Sequence, residues 1–194
     1  MHGVGVDENK FKQDMTEEEK LKLREELGIE KDEFVIIYPA ELSKRKNQGM
    51  LIKAISLLPN KNKIKVLLAG KDSYQGRYQK LAKELELEKQ IMFLGFRKDI
   101  YKLMQISNLA VSTSLQEGLP VNIMEAMFMG LPIIATDCRG NRDLVKRNIK
   151  INNINELNKF IQKCLVDSNN FIFKDTKKYE LKNILRKMEK IYNE

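Results

Sequence analysis

Ser114-Leu115-Gln116-Glu117-Gly118-Leu119-Pro120-Val121-Asn122-Ile123-Met124-Glu125-Ala126-Met127 follows a short apolar run, Leu109 to Thr113. The run reads as a strand that empties into a glycine-containing turn. Pro120 then stands as the first or second residue of a helix, where its missing N–H costs nothing. Two carboxylates frame the turn, Glu117 in the loop and Glu125 about a turn and a half into the helix. Free backbone N–H groups, a helix dipole and two acceptors in one crevice suit a ligand that carries both phosphate and hydroxyls.

The same alternation of strand and helix extends outward in both directions. Upstream, Thr16 and Glu19 form a capping-box pattern for a helix that runs to Leu27 and closes at Gly28. Phe34 to Tyr38 and Ile64 to Ala69 are continuous apolar runs, as expected of strands buried on both faces. Between them, Met50, Leu51, Ala54, Ile55 and Leu58 recur at helical spacing within 47–58. A helix over Tyr74 to Leu87, a strand from Ile91 to Leu94 and a short helix over Ile100 to Ile106 lead to the opening stretch. Its helix, 120–129, stops at Gly130, and the strand Pro132 to Thr136 and a helical turn Asn141 to Val145 follow. Amphipathic helices over Leu157 to Leu165 and Tyr179 to Tyr192 close the chain.

Such alternation predicts right-handed βαβ units: an α/β, Rossmann-like three-layer domain with a mostly parallel sheet of five to six strands. Ligands of such sheets bind outside the carboxyl ends of the strands. Three turns fall on that edge, at Leu42–Asn47, at Gly95–Lys98 with Arg97, and at Glu117. The expected division is a linker at 1–14, the nucleotide-binding domain at 15–175 and a terminal helix at 176–194.

With 194 residues, 42% hydrophobic and 32% charged, the chain has the make-up of a globular domain. No apolar run approaches the ~18–20 residues of a membrane span, and no signal peptide opens the chain. Cys138 and Cys164 lack metal-site spacing and read as free cytosolic thiols, and the lone His2 supports no metal site or triad. The formal charge of +8 is the compositional oddity. Solvation by lysine, attraction to an anionic membrane surface and nucleic-acid binding compete to explain it. No RNA-binding aromatic motif, zinc-finger spacing or compact arginine patch supports nucleic acid, which leaves it the weakest of the three.

Two glutamates eight residues apart mean little alone in a Glu-rich chain. Their context is more specific: strand, Ser-x-x-Glu-Gly-x-Pro, helix with a second Glu, then Gly130-Leu131-Pro132-Ile133-Ile134-Ala135-Thr136. This composite resembles the E-x7-E signature of retaining sugar-nucleotide transferases of glycosyltransferase family 4, which have the GT-B fold. Phe93-Leu94-Gly95-Phe96 before Asp99-Ile100-Tyr101 is similar to that family too. So are Ala40-Glu41-Leu42-Ser43-x-x-Lys46-Asn47 and the opening Gly3-Val4-Gly5-Val6-Asp7-x-x-x-Phe11. The resemblance covers residues 3 to 145.

The resemblance implies the carboxyl-terminal, donor-binding domain of a GT-B enzyme making a surface polysaccharide or glycolipid. Glu125 would accept from the ribose hydroxyls of a UDP- or GDP-linked sugar and Glu117 from the transferred sugar. The amides around Gly118, Leu119, Pro120 and Val121 would meet the diphosphate, and Lys46 would stabilise the leaving phosphate. Arg97 is expected on the same ligand, with no cofactor and no metal. The family often has Gly-Arg where this chain has Ala40-Glu41, and Arg45 or Lys44 is expected to substitute. The segment Lys146 to Asn153 lacks the family's glycine, so one connection is expected to be trimmed. The chain starts where the family's amino-terminal, acceptor-binding domain ends, so that domain is an expected partner. The expected setting is cytoplasmic, peripheral to the inner face of a membrane. The alternative is a truncated, non-catalytic Rossmann-like binding module.

Overall fold

The computed structural model describes residue 11, residues 13–145 and residues 150–166. The expected linker motif at Gly3–Asp7, His2 and the expected helix Tyr179–Tyr192 lie outside the described residues. Helix α1 (Glu17–Glu26) opens with the predicted capping box. The Glu19 amide donates to Thr16 Oγ1 at 3.2 Å, and the Thr16 amide to the Glu19 carboxylate at 2.8 Å. Gly28 follows with φ +64°, a left-handed conformation in which a side chain would be strained.

Six strands follow: β1 (Phe34–Pro39), β2 (Ile64–Ala69), β3 (Ile91–Gly95), β4 (Leu109–Ser112), β5 (Ile133–Thr136) and β6 (Lys150–Ile151). They pair in the order β3-β2-β1-β4-β5-β6, every pairing parallel. The order reverses between β1 and β4, and a doubly wound sheet has its ligand crevice at such a reversal. The helices between them are α2 (Gln48–Ser56), α3 (Arg77–Glu84), α4 (Ile100–Gln105), α5 (Val121–Phe128) and α6 (Asn141–Leu144), and α7 (Ile154–Val166) follows β6.

Strand β1 shows why its apolar run is unbroken. Ile36 and Tyr38 face a core built with Leu51, Ile55 and Leu157, while Val35 and Ile37 face another built with Leu103, Ile123 and Met124. Successive side chains of a strand point to opposite faces, and here both faces are covered. Each such aliphatic side chain contributes about 1.5–3 kcal/mol on burial. Gly70, just past β2, is fixed by close approach, since a Cβ there would lie 2.0 Å from the carbonyl oxygen of Ala40.

Three helix starts differ from the periodicity, each for a local reason. Helix α3 begins at Arg77 rather than Tyr74. The Asp72 carboxylate accepts from the amides of Tyr74 and Gly76 at 2.7 and 2.8 Å and winds 72–76 into a turn. Helix α5 begins at Val121, and Pro120 is its N-cap, with ψ 82°. Helix α7 starts three residues early because Asn153 Oδ1 caps the amide of Glu156 at 2.9 Å. Of the segment expected to be trimmed, Lys146 to Asn153, residues 146–149 lie outside the described residues, and Lys150–Ile151 form the two-residue edge strand β6, paired with β5 at Ala135 and Thr136.

Candidate active site

The carboxyl ends of β1 and β4 hold two loops side by side, 43–47 and 114–117. The Leu115 amide donates to the Arg45 carbonyl at 2.9 Å and fixes their alignment. Tyr38, fully buried, joins them from below. Its hydroxyl donates to the Lys46 carbonyl at 2.7 Å and lies 2.8 Å from Ser114 Oγ. Burial pushes the Tyr38 phenol up from its ordinary value, so it stays protonated and available as a donor. Thr113 Oγ1 donates to the Asn47 carbonyl at 2.8 Å, which holds Asn47 at φ +51°, the turn that admits α2.

Glu117 sits in this frame with only 4% of its side chain exposed. Lys46 Nζ and Ser114 Oγ both donate to its Oε1 at 2.5 Å. Arg45 Nη1 lies 3.4 Å from Oε2 and donates to the Gln116 carbonyl at 3.1 Å. A buried carboxylate needs such partners, since an uncompensated one would be strongly unfavourable. Gly140, at φ +88°, packs behind it: a Cβ there would lie 2.7 Å from the Gly118 carbonyl oxygen and 3.0 Å from Glu117 Cβ.

Beside the loop pair opens a crevice of about 450 Å³, lined by Pro39, Lys46, Lys71, Phe96, Leu119 and Glu125 among others. The structure therefore brings Lys46, Arg97, Leu119, Val121 and Glu125 to one cavity, with Glu117 joined to it through Lys46. Arg45 does not line this crevice; its half-exposed side chain reaches across to the Glu117 loop. Position 41, where the family often has arginine, presents a carboxylate that accepts from Ser73 Oγ. Lys71 and Phe96, the latter 74% exposed, line the crevice; Lys71 carried no expectation from the sequence, and Phe96 stood within a quoted motif without being assigned to the site. Phe96 stands directly after the strand end at Gly95 and Lys71 two residues after Ala69, and that position was the available signal.

Two expected donors are already engaged. The Val121 amide donates to the Leu119 carbonyl at 3.0 Å, because Pro120 delays the helix by one residue. Among the described residues, the Gly118 and Leu119 amides make no hydrogen bond. Arg97 forms a fork on Asp99, Nε and Nη2 donating at 2.8 and 2.6 Å. This bond raises the arginine above its ordinary value and holds the Asp99 carboxyl below its own. Among the described residues, no group of three His, Cys, Asp or Glu side chains is placed to hold a metal. Cys138 and Cys164 are free thiols, and burial pushes Cys164 up to about 11.

The sequence model of the family described as glycosyl transferases group 1 matches residues 19–186. The chain belongs to that family. Over 147 residues it is 38% identical to the Bacillus subtilis (strain 168) protein carrying the name glycosyltransferase EpsD, an overlap of 75% of this chain and 38% of that protein. It is 29% identical over 164 residues to the Escherichia coli UDP-Gal:alpha-D-GlcNAc-diphosphoundecaprenol alpha-1,3-galactosyltransferase, covering 81% of this chain and 42% of that one. The fold matches Anabaena Alr3699/HepE in complex with UDP-glucose at a TM-score of 0.80 and 26% identity, over 97% of this chain and 56% of that chain. The chain thus spans well under two thirds of the length of these relatives. The family's GT-B, Rossmann-like architecture agrees with the all-parallel sheet described above.

Proposed function

We propose that this chain binds a nucleotide sugar in the Lys46–Glu125 crevice, as the donor-binding half of a retaining glycosyltransferase. The observation that carries the reading is the Lys46–Glu117–Ser114 constellation, built and buried beside a crevice that is also lined by Glu125 and Leu119. Glu125 accepts from the ribose diol and Glu117 from the hydroxyls of the transferred sugar. The Gly118 and Leu119 amides, Lys46 and Lys71 meet the diphosphate, and Phe96 offers a face to the base. Lys46 has the further role of stabilising charge on the departing phosphate, so the proposal needs no divalent metal. The UDP and UDP-glucose held by HepE support a uridine donor. The name of the Escherichia coli relative supports a lipid-linked glycan acceptor for a polysaccharide or glycolipid product.

The acceptor belongs to a second domain that closes over the crevice, and the isolated chain turns over little. Such an enzyme works on the cytoplasmic side, against the inner face of a membrane. Among the described residues no helix is long and apolar enough to cross one. Isothermal titration calorimetry of the 194-residue chain with UDP, GDP, ADP and their glucose esters tests the donor reading. The expected result is a dissociation constant between about micromolar and millimolar for one base, the range an unclosed half-site supports. A folded sample that binds none of them overturns it.

A further inference from the structure

A second, larger concavity, of about 1080 Å³, lies between α2, α3 and the start of α7. Met50, Leu57, Leu81 and Leu115 give it apolar lining, and Lys44, Lys53, Arg77 and Lys80 line it too. One carboxylate lines it, Glu84, which lies 3.9 Å from Lys80. Among the described residues Lys44, Lys53 and Arg77 pair with no carboxylate. Arg77 is also held in place: its guanidinium sits 4.9 Å from the centre of the Tyr74 ring, with Nη1 3.5 Å from the Tyr74 hydroxyl. A planar fork fixed on an aromatic face, with no acidic partner, is organised to receive a carboxylate or phosphate.

We propose that this groove binds an acidic oligosaccharide, a run of sugar rings bearing carboxylate groups. Three observations favour this occupant. Concavity separates it from a lipid surface, which is planar and would meet only the rim. The Tyr74 ring is already occupied, by Arg77 and by Tyr78 at 5.0 Å, so it gives no platform on which nucleic-acid bases stack. The remaining lining, amide side chains of Asn47, Asn152 and Asn155 together with the apolar side chains, matches hydroxyls and the apolar faces of sugar rings.

The groove also shares its end wall with the donor crevice. Along the paired loops, Lys44, Asn47 and Leu115 turn to the groove, whereas Lys46 turns to the crevice and pairs with Glu117. A glycan in the groove therefore ends against the back of the loop that holds Glu117. The proposal goes beyond the donor reading and does not require it.

The test is calorimetry of the 194-residue chain with a size-defined galacturonate octamer, against maltooctaose as the neutral control, at constant ionic strength. The acidic octamer is expected to bind at least about tenfold more tightly than the neutral one. A double substitution, Lys53→Ala with Arg77→Ala, is expected to cost about tenfold or more, and Arg77→Lys less, because an ammonium keeps charge without the fork. UDP binding measured on the same variants is expected to stay at the wild-type value, and circular dichroism reports that they fold. Failure of the wild-type chain to bind UDP, GDP, ADP or their glucose esters while it binds the octamer would sink the donor reading alone. Equal affinity for the two octamers, no binding of either, or no loss in the double variant overturns the groove assignment. So does tighter binding, through the same residues, of phosphatidylglycerol vesicles or of single-stranded DNA.

Discussion

Glu117 and Glu125 frame one short stretch of chain, yet the regions around them are built in opposite ways. Glu117 is 4% exposed, takes hydrogen bonds from Lys46 and Ser114 on one oxygen, and is backed by Gly140. Glu125 is half buried on the wall of an open crevice, where α5 meets Lys71, Phe96 and Leu119. The first region is complete before any ligand arrives, so a sugar must enter a network whose polar groups are satisfied. The second faces an open cavity that a ligand can enter without breaking into a buried network. Buried polar networks hold geometry at a cost in stability when any member is lost, whereas open walls contribute little to folding. Stability should therefore be sensitive at Glu117 and affinity at Glu125.

The largest effect is expected from Glu117→Ala. It strands Lys46, whose side chain is 13% exposed, without its carboxylate. Removing one partner of such a pair costs about 3 kcal/mol, read as a shift of the urea-unfolding midpoint. Adding Lys46→Ala should recover part of the loss, and a cost below about 1 kcal/mol would show that the pair is not closed in solution. Next comes Gly140→Ala, which forces a Cβ against the Gly118 carbonyl at a φ of +88°. A cost of about 2 kcal/mol is expected from steric and backbone strain, with weakened donor binding because the displaced segment carries Glu117. Full stability and full affinity in this variant would break the claim that Gly140 backs the Glu117 loop.

How much of this contrast the sequence could yield depended on the range of each interaction. The capping box at Thr16, the glycine after α1 and the apolar runs of β1 and β2 are local or periodic, and each stands where the spacing put it. Glu117 and the turn that carries Lys46 were read from the residues and their roles from a resemblance, and the structure brings the two side chains together across 71 positions. The Tyr38 hydroxyl beneath them was not legible, because Tyr38 reads as an ordinary member of an apolar run. Its partner Ser114 lies 76 residues away. Likewise nothing in the order of residues says that Gly140 backs Glu117. The late start of α3 was hidden in side-chain chemistry, since Asp72 competes with the helix for the amides of Tyr74 and Gly76. The fork of Arg97 on Asp99 spans only two positions, and there the opposite charges were a usable signal.

A change on the open wall should reverse the pattern seen at Glu117. Glu125→Ala is expected to lower nucleotide affinity about tenfold, through loss of a charge-assisted acceptor for the ribose. Its unfolding free energy should shift by about 1 kcal/mol or less. Calorimetry and urea unfolding on one preparation check both. If stability falls as far as in Glu117→Ala, the two regions are not built differently.

The smallest effect belongs to Arg97 and Asp99, a preformed pair beside the open crevice. The hydrogen bond from Arg97 holds the Asp99 carboxyl below its ordinary value of 3.8. A depressed carboxyl contributes stability that is present above that ordinary value and is lost as pH falls through the lower, folded-state value. With both side chains 30% exposed, solvent screens the pair, so its contribution is expected below about 1 kcal/mol. Asp99→Asn removes the titrating group. The difference in unfolding free energy between wild type and variant should then be constant above the ordinary carboxyl range and shrink as pH drops below 3.8. Raising salt should reduce it further, because a partly exposed pair is screened where the buried Glu117–Lys46 pair is not. A difference that stays flat through the acid limb would mean that Arg97 does not hold Asp99 in solution, and that its fork is free for the ligand.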